Sequence, residues 1–200
     1  MTRLGMVIDL KRCIGCYGCM MACKAENATP PGVFWNRVMV WEEGKYPVAR
    51  QVYFPVQCNH CQKPACKDAC PTGATYQRDD GIVLVDYAKC IGCKSCITAC
   101  PYQVRYCWEE RTTYYPGTTT PFEEVGYKKF EVGAVQKCIF CAPRIDQGLK
   151  PACVQTCITK ARYFGDLDDP ESEVSLAMRN RHVFQLKPDF GTTPSIYYLG

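Results

Sequence analysis

The stretch "KRCIGCYGCMMACK" sets Cys13, Cys16, Cys19 and Cys23 at spacings of three, three and four residues. Nothing else in the chain narrows the fold so much, because thiols this close must share a loop around something they hold in common. The same run returns as Cys90, Cys93, Cys96 and Cys100. A second block type also occurs twice. Cys58, Cys61, Cys66 and Cys70 stand at three, five and four, and Cys138, Cys141, Cys153 and Cys157 at three, twelve and four. The two types alternate along the chain, and together they use all but one of the 17 cysteines, leaving Cys107 over.

Disulfides account poorly for this pattern. Thiols three apart in one loop are badly placed for bridging. The count is odd, and 200 residues exceed the usual disulfide-held scaffold. Zinc ribbons use two well-separated C-x2-C pairs around one tetrahedral ion, whereas C-x2-C-x2-C puts three ligands on one tight loop. A cubane iron-sulfur cluster is larger, and each of its irons takes one thiolate, so a loop wrapped round it supplies three corners. Gly15 and Gly92 suit such a loop, where the backbone curls closely and aims N–H groups at sulfur. The blocks therefore predict four 4Fe-4S clusters.

In two-cluster ferredoxins, C-x2-C-x2-C-x3-C gives three cysteines to one cluster and the fourth to the other. Proline follows the fourth cysteine at Pro71 and Pro101, but Lys24 and Ile158 stand there after Cys23 and Cys157. The short segment between Cys70 and Cys90 makes the second and third blocks natural partners and leaves the first with the fourth. The expected ligand sets are Cys58, Cys61, Cys66 with Cys100; Cys90, Cys93, Cys96 with Cys70; Cys13, Cys16, Cys19 with Cys157; and Cys138, Cys141, Cys153 with Cys23.

The expected fold class is α+β, with two ferredoxin-like halves each holding two 4Fe-4S clusters. Residues 1–57 with 138–165 form the outer half and 58–104 the inner one. Residues 105–137 form an inserted loop with one hairpin, and 166–200 a C-terminal helix and extended tail. "VIDLKRCIGCYGCMMAC" from Val7 matches "LVDYAKCIGCKSCITAC" from Leu84, each with a short apolar strand, an Asp (Asp9, Asp86) and the cysteine run. "ATYQRDDGIVLVD" reads as two strands turning at Asp80-Gly81. "CITACPYQV" reads as a short helical turn ended by Pro101. A helix is expected after Asp169 with Pro170 in its first position, and "LKPDFGTTPSIYYLG" is expected to be extended.

The net charge is +4, from 24 basic and 20 acidic residues. Many of the basic residues neighbour cysteines (Lys11, Arg12, Lys24, Lys89, Lys94, Lys137). Thiolates give that charge a local use, so no nucleic-acid footprint is read. No apolar run approaches the roughly 20 residues of a membrane span. The N-terminus runs straight into the first cysteine block, so neither a signal peptide nor a twin-arginine leader is expected.

With "LGMVIDLKRCIGC", "FGDLDDPES" and "LKPDFGTTPSIYYL" beside the sixteen paired cysteines, the chain resembles the four-cluster iron-sulfur subunit of the molybdopterin (dimethyl sulfoxide reductase) superfamily. It is most similar in look to the subunits of polysulfide, thiosulfate, tetrathionate and arsenate reductases. The resemblance implies an electron-transfer subunit with no catalysis of its own. Its partners would be a molybdenum or tungsten pterin catalytic subunit and a membrane-embedded quinol subunit. It implies a cluster order of first, fourth, second and third block, counted from the pterin side. It also implies a place peripheral to the membrane, on the extracytoplasmic face by export with a twin-arginine partner, with the cytoplasmic face as the alternative. Some relatives carry Trp at the second cysteine of the third block; Cys93 here implies a full cluster. The alternatives are the electron-transfer subunit of a membrane hydrogenase-type complex and a free polyferredoxin.

Lys94, inside the third-block loop, is a candidate for tuning its cluster, against a plain solvated lysine. His60, in "CNHC", is a second tuning candidate, against a surface or backbone-bonded imidazole. Cys107 reads as a free buried thiol. Trp108, Tyr114 and Tyr115 offer a partner interface or an ordinary small core, and the terminal "IYYL" a docking strand. Because cluster binding is folding free energy, the metal-free chain is expected to be largely unfolded.

Overall fold

The computed structural model describes residues 2–200. Strand β1 (Leu4–Asp9) leads through a 3-10 turn at Leu10–Arg12 into the first cysteine run, which ends in α1 (Gly18–Asn27). Strands β2 (Asn36–Glu43) and β3 (Arg50–Gln57) form a long antiparallel hairpin. The second and third blocks carry α2 (Ala65–Asp68), β4 (Thr75–Gln77), β5 (Val83–Val85) and α3 (Ser95–Thr98). Strand β6 (Tyr106–Cys107) pairs with β7 (Val135–Gln136), closing the neck of a segment that contains α4 (Pro121–Gly126). The fourth block carries α5 (Ala142–Ile145), α6 (Ala152–Gln155) and β8 (Arg162–Asp166). The chain ends in α7 (Glu173–Met178), β9 (Val183–Phe184) and β10 (Ile196–Leu199).

One four-stranded sheet, in the order β8-β1-β10-β9, gathers both ends of the chain. β1 runs antiparallel to β8 and parallel to β10. Its "LGMVID" reads as an unbroken apolar run because both faces are covered. Met6 and Ile8 face the main core with Trp35 and Phe140, while Val7 meets Val174 and Leu199 on the other side. The period of two follows from the pleat.

The repeat seen in the sequence is also a repeat of local geometry. Asp9 and Asp86 each cap a 3-10 turn by accepting the N–H two residues on, Lys11 and Ala88, at 3.1 Å in both cases. Gly15 and Gly92 both have φ of +68°. A Cβ at Gly15 would strike the Tyr53 ring, and one at Gly92 would come within 2.5 Å of the Gly133 carbonyl oxygen. After the fourth cysteine of the other three blocks, the third residue on is left-handed: Gly73, Gln103 and Lys160. In the first block Lys24 replaces the proline, and α1 runs on to Asn27 instead.

The hairpin around Asp80-Gly81 forms as expected, with Thr75 opposite Val85. Four features depart from the sequence-based expectations or decide between their alternatives. The last helix begins at Glu173, not at Pro170. The Asp169 carboxylate accepts the Glu171 N–H at 2.9 Å and holds a turn, so Ser172 becomes the cap, accepting from Ser175 N–H. The inserted segment is more than a loop with a hairpin. Thr120 and Glu123 form a reciprocal capping box that starts α4, the T-x-x-E signature of a helix start. Trp108 is 4% exposed and packs edge-on against Tyr127 and Phe130, so it belongs to the core; Tyr114 and Tyr115 stay exposed.

The fourth feature is the C-terminus. "IYYL" is β10, an inner strand of the sheet, and Ile196, Tyr198 and Leu199 are fully buried. Burial of an aliphatic side chain of this size contributes about 1.5–3 kcal/mol, and the Tyr198 hydroxyl donates to the Pro55 carbonyl at 3.0 Å. Deleting residues 195–200 should therefore destabilise the whole chain. Limited proteolysis of the truncated protein is expected to show rapid cleavage across both ends; wild-type resistance combined with a loss of partner binding would instead make β10 a docking strand.

Candidate metal centres

Short elements deliver the thiols, and the folding described above brings them together in fours. Cys58, Cys61, Cys66 and Cys100 line one cavity, about 350 Å³ free of protein atoms. Cys70, Cys90, Cys93 and Cys96 line a second of about 300 Å³. Cys13, Cys16, Cys19 and Cys157 line a third of about 370 Å³. All three are lined by four thiols, so one kind of guest suits them all. The remaining four thiols meet where α1 lies against α6. Cys23 neighbours Cys141 and Cys153, Cys138 neighbours all three, and the Asn27 amide points at both Cys23 Sγ and Cys141 Sγ, at 3.6 and 3.8 Å.

The donor set suits an iron-sulfur cluster. Every ring is all sulfur, a soft anionic donor matched to iron-sulfur cores. Among the described residues, no three His, Cys, Asp or Glu side chains close in around a single point as one ion would require. Backbone N–H groups are aimed at the sulfurs: Thr75 at Cys70 (3.4 Å), Ala161 at Cys157 (3.2 Å) and Val135 at Cys90 (3.5 Å). All 17 cysteines are unbridged.

Burial sets the thiols apart from one another. Desolvation pushes Cys61 up to about 12 and Cys153 up to about 11, with Cys23 and Cys138 also raised by burial and by their thiol neighbours. Near the surface the balance reverses. Burial is the largest single influence on Cys70 and pushes it up, but the N–H groups of Thr75, Thr72 and Ala74 and the Thr72 hydroxyl together outweigh it and hold the thiol down to about 7. Hydrogen bonds from Ser95 lower Cys93. The inner thiols thus need a strong partner to become thiolates.

Part of that compensation comes from cations that the cysteine spacing does not reveal. Arg162 is fully buried, and its guanidinium lies 3.6 Å from Cys19 Sγ and 3.9 Å from Cys153 Sγ. Gln57 and Asn36 fix its orientation at 2.6 and 3.0 Å. Arg105 donates to Cys66 Sγ at 2.9 Å and to the Thr75 hydroxyl at 3.3 Å. Burial opposes the charge of both arginines, but the surrounding thiols hold them above the ordinary arginine value. Their signal was in the sequence: "CPYQVRY" and "CITKARY" each put Arg five residues past a fourth cysteine. Lys137 is also fully buried, with its ammonium on the carbonyls of Val83 and Cys138.

The two tuning candidates fare differently. Lys94 is half-exposed and forms an ion pair with Glu109, so an opposite charge accompanies it at the cluster loop. His60 is fully buried, not a surface imidazole. Its Nδ1 accepts the Val83 N–H at 3.1 Å, and its ring stacks on Phe140 at 3.8 Å. Burial, with Lys137 and Arg105 nearby, holds it well below the usual histidine range, so the ring is neutral. Cys107 is half-buried and donates to the Gly133 carbonyl; it joins none of the four groups.

Comparison with known proteins follows the same lines. The 4Fe-4S dicluster domain family matches residues 49–116 and 117–167, and a 4Fe-4S binding domain matches residues 10–27. The chain is 43% identical to a putative dimethyl sulfoxide reductase iron-sulfur subunit of Halobacterium salinarum, over 100% of this chain and 79% of that one. It is 43% identical to a selenate reductase subunit of Mesobacillus selenatarsenatis, over 97% of this chain and 70% of that one. It is 39% identical to the arsenate respiratory reductase iron-sulfur subunit of a Shewanella species, over 98% and 96%.

The His60 geometry makes a specific prediction. His60→Leu keeps the bulk but leaves the buried Val83 N–H without an acceptor, which costs about 1–3 kcal/mol. Chemical denaturation of the metal-loaded protein should show that loss; an unchanged midpoint would mean that the hydrogen bond carries no net stability.

Proposed function

The chain belongs to the 4Fe-4S dicluster family, as an iron-sulfur electron-transfer subunit of the respiratory-reductase kind, and on that premise we propose that it is a wire of four clusters held in two ferredoxin-like halves. The carrying observation is the composition of each thiol group: three cysteines come from one block and the fourth from its complement. We assign the clusters to Cys13, Cys16, Cys19, Cys157; to Cys138, Cys141, Cys153, Cys23; to Cys58, Cys61, Cys66, Cys100; and to Cys90, Cys93, Cys96, Cys70. When bound, each cluster supplies reversible one-electron chemistry at a potential set by charge, N–H···S bonds and exposure.

The residues supply direction and insulation. Cys16 and Cys93 are exposed, and beside them Ile14 and Ile91 present 55% and 68% of their surfaces to solvent. Cys58, Cys138, Cys141 and Cys153 are buried. The first-block and third-block groups therefore each bring one thiol to the surface, the fourth-block group is buried throughout, and the second-block group, with Cys58 buried and Cys61, Cys66 and Cys100 half-buried, lies between, which suits a wire with an entrance and an exit. Neighbour relations support the order. Cys138 adjoins Cys58, Arg162 touches both Cys19 and Cys153, and Arg105 lies beside Cys66 and Cys96. No described helix is long and apolar enough to cross a membrane.

In this reading the first-block end meets a molybdenum or tungsten pterin subunit. The third-block end meets a second redox partner, a membrane quinol subunit in the fullest form of the complex. The assembly is peripheral to the membrane, on the extracytoplasmic face, where the chain arrives with a twin-arginine partner. The substrate belongs to the pterin partner, because fold alone does not specify chemistry.

The test is anaerobic purification of the native complex with assay of iron, sulfide, molybdenum, tungsten and pterin. About sixteen irons in this chain, four for each of its clusters, and a pterin-bearing partner are expected. Nickel in the partner would move the assignment to a hydrogenase-type complex, and no partner at all to a free carrier. The ligand sets have their own test by electron paramagnetic resonance. Cys16→Ser and Cys157→Ser should alter one cluster signal, and Cys23→Ser and Cys141→Ser another. If Cys23→Ser and Cys16→Ser perturb the same signal, the pairing across blocks is wrong.

A further inference from the structure

Three fully or nearly fully buried cations divide the four thiol groups from one another. Arg162 has one nitrogen near Cys19 of the first-block group and the other near Cys153 of the fourth-block group. Arg105 binds Cys66 of the second-block group, and its charge also lies beside Cys96 of the third-block group. Lys137 sits between the halves, bonded to the Cys138 carbonyl and drawn towards Cys58 and Cys66. Each junction of the wire thus contains one cation, and no carboxylate pairs with any of the three among the described ion pairs.

We infer that Arg105 and Arg162 are positioning residues for electron transfer, each a single charge shared by the two clusters at its junction. The inference rests on the cluster assignment above. A reduced cluster carries one more negative charge, and a cation against its thiolates in a dry interior favours that state. A cation offset to one side would raise one potential alone and trap the electron there. A cation touching sulfurs of both groups raises both potentials together. It keeps the step between them shallow and offsets the repulsion when both neighbours are reduced. Transfer across the junction moves one electron and makes or breaks no bond, so a fixed charge is all the protein must provide.

The geometry is built for arginine. A planar fork reaches two acceptors on opposite sides and stays charged when buried. The supports are specific as well. Gln57 and Asn36 accept from the two ends of the Arg162 fork, and the Thr75 hydroxyl accepts from Arg105. Both arginines stand at the same place in their blocks, five residues past Cys100 and Cys157, so the internal repeat has carried the junction charge along with the ligands. Exposed Lys94, paired with Glu109, has none of these properties.

The experiment is a redox titration of the purified complex, followed by electron paramagnetic resonance, with the first-block and fourth-block signals assigned through the serine variants above and the second-block and third-block signals through Cys61→Ser and Cys93→Ser. Arg105→Gln should lower the midpoints of the second-block and third-block clusters and leave the other two in place. Arg162→Gln should do the converse. Unchanged midpoints with all four signals present, a shift of one cluster only, or an equal shift of all four would overturn the inference. If a Gln variant loses iron, Arg105→Lys and Arg162→Lys decide. Retention of iron with near-native midpoints supports a shared charge, whereas loss of iron in these too would make the arginines struts. Wild-type complex without four cluster signals would instead overturn the cluster assignment itself.

Discussion

Negative charge that water cannot reach is the condition on which this structure is organised. Cys23, Cys58, Cys138 and Cys153 are members of the main core, packed among Trp35, Phe140 and Tyr198. An ionised group in such a place costs several kcal/mol unless it is paired. Iron supplies most of the pairing, and the protein adds backbone N–H groups and buried cations. The elements around each thiol group are short because the loops must give their N–H groups to sulfur and cannot spend them on regular structure. Metal binding and folding are then expected to be one event, since without iron the buried thiols of each group are neutral and nothing ties them to one another.

What could be read from the chain was whatever the spacing alone dictates. The grouping of thiols by fours, the hairpin at Asp80-Gly81 and the special backbone at Gly15 and Gly92 all follow from neighbours within a few residues. The rest depends on partners far away in sequence. "IYYL" reads as an exposed aromatic strand until β1 and β9 flank it. Trp108 reads equally as an interface or a core residue until Tyr127 and Phe130 close over it. Lys94 and Lys137 look alike beside their cysteines, yet one is paired with Glu109 at the surface and the other is wholly enclosed. The T-x-x-E of Thr120–Glu123 is a legible helix start, masked by the Thr, Tyr, Gly and Pro around it.

The internal repeat is visible where the second and fourth blocks meet. His60 and Phe140 occupy the same position in their blocks, two residues past Cys58 and Cys138, and both have positive φ. They stack on each other at 3.8 Å between the two blocks. Duplicated loops thus meet through equivalent residues, as related copies facing each other would. Tyr17 and Lys94 are likewise equivalent, four residues past the first cysteine, and both are left-handed. Where one copy has gained an extended helix, α1, that helix packs on α6 of the complementary block, and Cys23 rides on it into the fourth thiol group.

This arrangement also constrains how the wire can change. A substitution at a surface lysine alters a charge already screened by water and, at Lys94, by Glu109. If the buried cations are shared as inferred above, replacing one of them acts on two thiol groups at once, whereas a contact confined to one group, such as the Asn27 amide on Cys23 and Cys141, acts on that group alone. Adjustment is also open at the exposed ends, where Cys16 and Cys93 approach the surface and where a partner's own charges add to the field. In the proposed wire the buried cations hold neighbouring clusters near a common level, and the two ends, with whatever docks on them, set where electrons enter and leave.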